Sequence, residues 1–151
     1  MAHLSRQSAL APVYTSQDRA RYLTLLGLAG AVLVIARLLP PSPRGVGTHE
    51  QLGLPPCLFL KLTGVPCTSC GLTTSFAYAA KFRFFEALVT QPFGLLAFFL
   101  TVLLVPLSCY LLYRRIPWRR VIDAWLAKPM TYALLALYLM SWVYKIVVMR
   151  S

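Results

Sequence analysis

Three long apolar runs decide what this chain can fold into. The runs cover residues 22–39, 92–113 and 129–149 of the 151-residue sequence. A helix needs about 20 mostly apolar residues to cross about 30 Å of hydrocarbon, and each run is of that order. The run 92–113 carries no charge, and the other two carry one charge each, Arg37 and Lys145, close to their ends. The sequence therefore predicts an all-α membrane protein with three transmembrane helices.

The segments between the runs are polar or broken by proline. Residues 40–91 begin with a proline-rich stretch that ends the first helix, because proline lacks the amide donor. Further on, Phe82, Phe85 and Val89 recur at helical spacing with charged residues between them. We therefore expect short amphipathic helices over 73–90, lying at the membrane interface and packed on the spans. The remaining segments are a cytoplasmic tail, 1–21, and a basic connector, 114–128.

Four side chains near the helix ends are predicted to anchor the spans in the membrane. Long basic side chains at the end of a span extend, or snorkel, towards the headgroups, and tryptophan rings favour the interface. A buried, functional lysine is the alternative for the basic residue of the last run. The predicted anchors are Arg37, Trp118, Trp125 and Lys145.

The formal net charge of +11 limits the kinds of partner. Fifteen Lys and Arg residues outnumber four Asp and Glu residues, and the basic residues flank the apolar runs instead of lining one face. Nucleic-acid binders present such residues along a water-exposed face, so nucleic acid is not an expected partner. The expected partners are the lipid bilayer and other membrane proteins.

The positions of the basic residues also predict the orientation. The tail has three basic residues, the connector has five, and the longer loop between the first two spans has four. With three crossings the tail and the connector share one side, and the positive-inside rule places that side in the cytoplasm. We expect a multi-pass protein of the bacterial inner membrane, with a cytoplasmic N-terminus and the 40–91 loop on the extracytoplasmic side.

The loop between the first two spans carries three of the four cysteines. Cys67 and Cys70 form a Cys-x-x-Cys pair followed by Gly71, and two thiolates at this spacing reach one tetrahedral zinc ion. Glycine after the second cysteine permits a left-handed backbone, as in metal-binding knuckles. Cys57 offers a third thiolate and His49 a fourth ligand, which gives a candidate zinc site of three cysteines and one histidine.

Other chemistry is open to the same cysteines. A Cys-x-x-Cys pair near a helix N-terminus is also typical of thiol–disulfide and electron-transfer proteins, in which Cys67 and Cys70 would cycle. No alternation of predicted strands and helices of the thioredoxin type surrounds this pair. A structural disulfide between Cys57 and one cysteine of the pair, or inert thiols, are the further alternatives.

Residues for acid–base catalysis are scarce. The chain has four carboxylates, and it lacks a glycine-rich phosphate loop, paired carboxylates and a Ser-His-Asp set. We therefore favour a small, non-catalytic accessory or assembly subunit with a Cys/His structural metal site at the membrane surface. A membrane thiol–disulfide or electron-transfer protein and a metal-handling protein are the alternatives.

The cysteine segment resembles the bacterial membrane family known as domain of unknown function 2752 (DUF2752). The matching residues, within 49–99, are Cys57, Leu62-Thr63-Gly64-Val65-Pro66-Cys67, Cys70-Gly71-Leu72-Thr73 and Gln91-Pro92. Thr68 and Thr74 depart from the family pattern, which usually has proline at the first position and often arginine at the second. A family variant with Gly-Thr-His before the first cysteine is similar to residues 47–49, which favours His49. The resemblance implies the architecture and the site but no activity.

Overall fold

The computed structural model describes residues 13–125 and 128–150 of the chain. These residues form helices and one 3₁₀ turn, and there is no strand among them. The helices are α1 (Ser16–Leu38), α2 (Leu58–Thr63), α3 (Leu72–Ala79), α4 (Phe84–Thr90), α5 (Pro92–Tyr113), α6 (Trp118–Trp125) and α7 (Lys128–Arg150). The 3₁₀ turn, Thr48–Leu52, lies between α1 and α2.

Three of these helices are long and apolar enough to cross a membrane. They are Ser16–Leu38, Pro92–Tyr113 and the part Thr131–Met149 of α7. Many of their large apolar side chains are exposed, as contact with lipid requires. The predicted fold, an all-α protein with three membrane-spanning helices, is confirmed.

Helix α1 begins at Ser16, earlier than the predicted start at Tyr22. Thr15 and Asp18 form a capping box, in which the Thr15 hydroxyl accepts from the Asp18 amide (3.3 Å) and the Asp18 carboxylate accepts from the Thr15 amide (2.9 Å). These bonds satisfy backbone groups that the first helical turn leaves without partners. The end of the predicted tail is therefore helical, while its residues 1–12 lie outside the described part of the chain.

Helix α3 lies at the centre of the bundle, packed against α1, α4 and α5. Its Phe76 ring meets the Phe98 ring of α5 edge to face, with 5.7 Å between the ring centroids. The other buried side chains of this core are small: Ala36, Ala79 and Ala87. Small side chains let the short helix fit closely between the longer ones, as dense packing of an interior requires.

The two short helices expected over 73–90 exist as α3 and α4, but α3 is not a surface helix. Ser75, near its middle, is fully buried, and its hydroxyl donates to the carbonyl oxygens of Ala87 (2.9 Å) and Gln91 (3.1 Å). Because this hydroxyl has acceptors, a polar position of α3 can enter the core. The expected amphipathic surface is thus limited to the region of α4.

Two aromatic side chains around the start of α4 point outwards. Phe82 and Phe85 expose 78% and 76% of their surface. Phe82 has a φ of 62°, an uncommon value for a bulky residue, which turns the chain between α3 and α4. This exposure suits the predicted insertion of the two rings into the membrane interface, which stays a prediction.

The connector after α5 packs against the start of α1. The Tyr22 hydroxyl donates to the Ile116 carbonyl oxygen (3.0 Å), and the Tyr22 ring meets the Trp118 ring edge on, with 5.4 Å between centroids. Trp118 is half-buried, while Arg37 is exposed at the other end of α1. Their roles as membrane anchors stay predictions, and the side chain of Trp125 lies outside the described residues.

The prediction that Lys145 extends towards the headgroups is wrong. Only 3% of this residue is exposed, and its ammonium donates to the carbonyl oxygens of Gly45 (3.2 Å) and Thr90 (3.0 Å). The physical reason is that the folded loop brings both carbonyls to α7. The ammonium therefore finds its acceptors inside the protein instead of at the headgroups.

Gly94 permits a close approach between α3 and α5. A Cβ at this position would lie 2.7 Å from the Cβ of Ser75, so the two helices would have to move apart. We expect Gly94→Ala to lower the free energy of unfolding by about 1–3 kcal/mol, as overpacking does, and to lower the melting temperature in detergent. Gly27→Ala is the matched control, because nothing lies within 4 Å of a Cβ there. An unchanged melting temperature for Gly94→Ala would contradict this packing.

Candidate metal centre

Three cysteine side chains converge beside α3. Cys57 directly precedes α2, while Cys67 and Cys70 lie in the turn before α3. Their sulfur atoms all lie within 4.8 Å of one another, and those of Cys67 and Cys70 are 3.2 Å apart. All three are free thiols. The structure therefore brings together the three cysteines that were predicted as metal ligands.

The spacing of these sulfur atoms suits one shared metal ion. Two thiolates at about 2.3 Å from a tetrahedral zinc ion lie about 3.8 Å apart. The sulfur atoms of Cys67 and Cys70 are 3.2 Å apart, and those of all three cysteines lie within 4.8 Å of one another, so small shifts would bring them to this spacing. Thiolates are soft ligands, which suit zinc, Cu(I) and iron better than magnesium or calcium. The three cysteines can therefore hold a metal ion.

Backbone hydrogen bonds close the turn that carries the Cys-x-x-Cys pair. The Cys70 amide donates to the Cys67 carbonyl oxygen (3.0 Å), and the Leu72 amide donates to that of Ser69 (3.1 Å). Gly71 follows with a φ of 92°, the left-handed conformation that its position predicts. Helix α3 begins at the next residue, so the turn fixes both thiols relative to the core.

The thiols differ in how readily they lose a proton. Hydrogen bonds to the Cys57 sulfur, foremost from the Leu60 backbone N–H and then from the thiols of Cys70 and Cys67, lower the pKa of the Cys57 thiol to about 7. Burial raises the pKa of the Cys70 thiol, and its hydrogen bonds with the sulfur atoms of Cys67 and Cys57 raise it further. Cys57 can therefore act as a thiolate near neutral pH, whereas Cys70 needs a positive charge nearby to lose its proton.

His49 lies next to the cluster without joining it. The residue lines a cavity of about 150 Å³ together with Cys57 and Cys70, but among the described residues the group of mutually close ligand atoms consists of the three sulfur atoms. The 3₁₀ turn that carries His49 is tied to α3 by a 2.8 Å hydrogen bond between the buried hydroxyls of Thr48 and Thr74. The role of His49 as a ligand stays a prediction.

The side chains of Gln91 and Trp142 donate hydrogen bonds to the backbone of the Cys-x-x-Cys turn. Neither residue was predicted from the sequence as a site residue. The Gln91 amide donates to the Thr68 carbonyl oxygen (3.2 Å), and the Trp142 indole N–H donates to that of Pro66 (2.9 Å). Gln91 belongs to the family motif, which is a signal that could have placed it here. Trp142 offers no such signal, because tryptophan in a span is common at membrane interfaces.

Comparison with known families agrees with the cysteine motif. Residues 57–105 match the family described as protein of unknown function (DUF2752). The match begins at the first clustered cysteine and continues into α5, and it confirms the family predicted from the sequence. No curated protein and no solved structure matches the chain.

The hydrogen bond from Trp142 to Pro66 restrains the residue before Cys67. We expect Trp142→Phe to raise the rate at which a thiol reagent modifies the clustered cysteines about five-fold, since losing a bond of about 1 kcal/mol favours local opening by that factor. Mass spectrometry of detergent-solubilised protein measures the rate. Trp118→Phe is the matched control, because Trp118 contacts Tyr22 near the start of α1. Equal rates in the two variants would contradict this role for Trp142.

Proposed function

We propose that this chain, a member of the DUF2752 family, holds a structural zinc ion on Cys57, Cys67 and Cys70. In this proposal it is a non-catalytic accessory or assembly subunit of a membrane complex. The observation that carries the proposal is the convergence of the three sulfur atoms within 4.8 Å. Three thiolates at this spacing are a strong donor set for zinc, and structural zinc sites are closed by a fourth protein ligand.

His49 is the proposed fourth ligand. It lines the cavity that Cys57 and Cys70 also line. A neutral imidazole would complete a set of three cysteines and one histidine, which is a common structural zinc site. The proposal requires the imidazole to turn from the cavity wall towards the sulfur atoms when the ion binds.

Helix α2 supports a structural role for the ion. This six-residue helix has no buried residue, and Leu58 and Leu62 expose 66% and 74% of their surface. A helix this short is not stable on its own in water, and the core contributes little to it. A metal ion on Cys57, directly before the helix, would tie α2 to the cysteine turn and thereby stabilise the loop.

The exposed face of α2 supports the accessory role. Leu58, Phe59 and Leu62 present apolar side chains on the outside of the loop. In this proposal the loop lies on the extracytoplasmic side of the inner membrane and the N-terminus in the cytoplasm, which the distribution of basic residues supports. A loop ordered by zinc would there present a fixed apolar face to another membrane protein or to lipid.

A second candidate function is thiol–disulfide or electron transfer through Cys67 and Cys70. Their sulfur atoms are 3.2 Å apart, and Cys57, with a pKa of about 7, adds a nucleophilic thiolate beside them. Forming the disulfide releases two electrons and two protons to a separate electron acceptor, and reduction reverses this. The redox reaction does not require His49, whereas the proposed zinc site does.

Metal analysis of the detergent-purified protein, combined with thiol counting, tests the zinc proposal. We expect about one zinc ion per chain, and we expect Cys67→Ser to lose it, because too few thiolates remain to close the site. Cys109→Ser is the matched control, since Cys109 is an exposed thiol outside the cluster, and this variant keeps its zinc.

The variant His49→Ala separates the two candidate functions. If zinc is held by three cysteines and the histidine, this variant binds zinc more weakly than the wild type. If the protein is a redox protein, the reduction and reoxidation of the Cys67–Cys70 bond are unchanged in His49→Ala. Metal-free wild-type protein with a reducible Cys67–Cys70 bond would overturn the zinc proposal and favour the redox function.

A further inference from the structure

Lys145 is a buried cation without a carboxylate partner among the residues that the structure describes. The ion pairs in this part of the chain join Arg21 to Asp18 and Arg83 to Glu86. An ammonium group removed from water is costly unless a partner compensates its charge. Two backbone carbonyls accept from Lys145, and their dipoles compensate part of the charge. A full compensating charge would have to come from another kind of negatively charged group.

The ammonium of Lys145 lies against the turn that carries Cys70. A Cβ placed on Gly71, the residue after Cys70, would lie 3.2 Å from the Lys145 Nζ atom and 2.9 Å from the Gly45 carbonyl oxygen. Gly71 directly follows Cys70, which is itself buried, so the ammonium lies beside the residue next to that thiol. Helix α7 therefore delivers one positive charge to the edge of the thiol cluster.

We infer that Lys145 is a positioning residue that supplies the counter-charge of the thiolate cluster. This inference rests on the proposed zinc function and deepens it. Three thiolates around a divalent ion carry one net negative charge, and a neutral imidazole does not change this sum. One ammonium beside Cys70 makes the whole site neutral, which favours it in surroundings that water solvates poorly.

The side chain of Gln91 is independent evidence that the space beside Gly71 accommodates a cation. The residue is fully buried, and its Nε2 group donates to the Thr68 carbonyl oxygen inside the cysteine turn. Its Oε1 atom has no hydrogen-bond partner among the described residues. This oxygen lies 3.3 Å from the same Cβ position at Gly71 that Lys145 Nζ approaches. A buried acceptor dipole directed at this place favours positive charge there.

The affinity of the full chain for zinc tests the inference, measured in detergent by competition with a chromophoric chelator. Lys145→Met keeps the approximate length of the side chain and removes its charge. We expect this variant to bind zinc about 10- to 100-fold more weakly than the wild type. Lys81→Met is the matched control, because Lys81 also donates to a backbone carbonyl, that of Leu39 at 2.9 Å. The control binds zinc as the wild type does.

Two further readouts separate the charge of Lys145 from its packing. In protein loaded with Co²⁺, the sulfur-to-cobalt charge-transfer band shifts in Lys145→Met and not in Lys81→Met, because the band reports the electrostatic surroundings of the thiolates. The rise in melting temperature on adding zinc is also smaller in Lys145→Met. The inference is overturned if Lys145→Met lowers the melting temperature equally in the zinc-free and the zinc-bound protein and leaves the zinc affinity and the charge-transfer band unchanged.

Gln91→Glu carries the test if Lys145→Met does not fold. The new carboxylate pairs with the Lys145 ammonium and cancels its charge. We therefore expect Gln91→Glu to bind zinc more weakly than the control Gln91→Leu, which also loses the hydrogen bond to Thr68 but adds no charge. Equal affinities of the two variants overturn the inference.

The zinc measurement on the wild type separates failure of this inference from failure of the proposed function. Wild-type protein that binds no zinc refutes the proposed function itself. Zinc binding by the wild type with equal affinity in Lys145→Met overturns this inference alone.

Discussion

Side chains of the last span donate hydrogen bonds to backbone carbonyl oxygens of the cysteine loop, residues 40–91. The donors are the side chains of Trp142, Tyr144 and Lys145 on α7. The acceptors lie in three stretches of the loop, at Gly45, at Pro66, and at Val89 with Thr90. The bond from Lys145 to Thr90 is buried, and a buried carbonyl left without a donor costs on the order of 1–3 kcal/mol. The path of the loop therefore follows the positions of these donors, and α7 belongs to the site as much as the cysteines do.

These contacts matter because the stretch of the loop before α3 contributes no side chain to the buried core cluster. Helix α3 enters the core through Phe76 and small alanines, whereas α2 buries no residue. Hydrogen bonds from Gln91 and Trp142 fix the turn that carries Cys67 and Cys70. The proposed zinc ion would then order the remaining part, from Cys57 through α2. Burial, hydrogen bonding and metal binding would thus each order a different stretch of one loop.

The spans and the cysteine cluster could be predicted because their signals are local. Apolar runs of about 20 residues specify spanning helices, and a glycine directly after a Cys-x-x-Cys pair specifies the turn at Gly71. The burial of Ser75 and Lys145 could not be predicted, because it depends on which carbonyls the folded loop brings near them. A lysine at the end of an isolated span would extend to the headgroups. The capping box at Thr15 was missed because its acidic member is Asp18 instead of the usual Glu.

X-ray absorption at the zinc edge of the purified protein tests the central claim most directly. We predict three sulfur ligands at about 2.3 Å and one nitrogen ligand at about 2.0–2.1 Å from the metal. A first shell made of nitrogen and oxygen alone, in protein whose thiols are reduced, would contradict the claim that Cys57, Cys67 and Cys70 bind the ion.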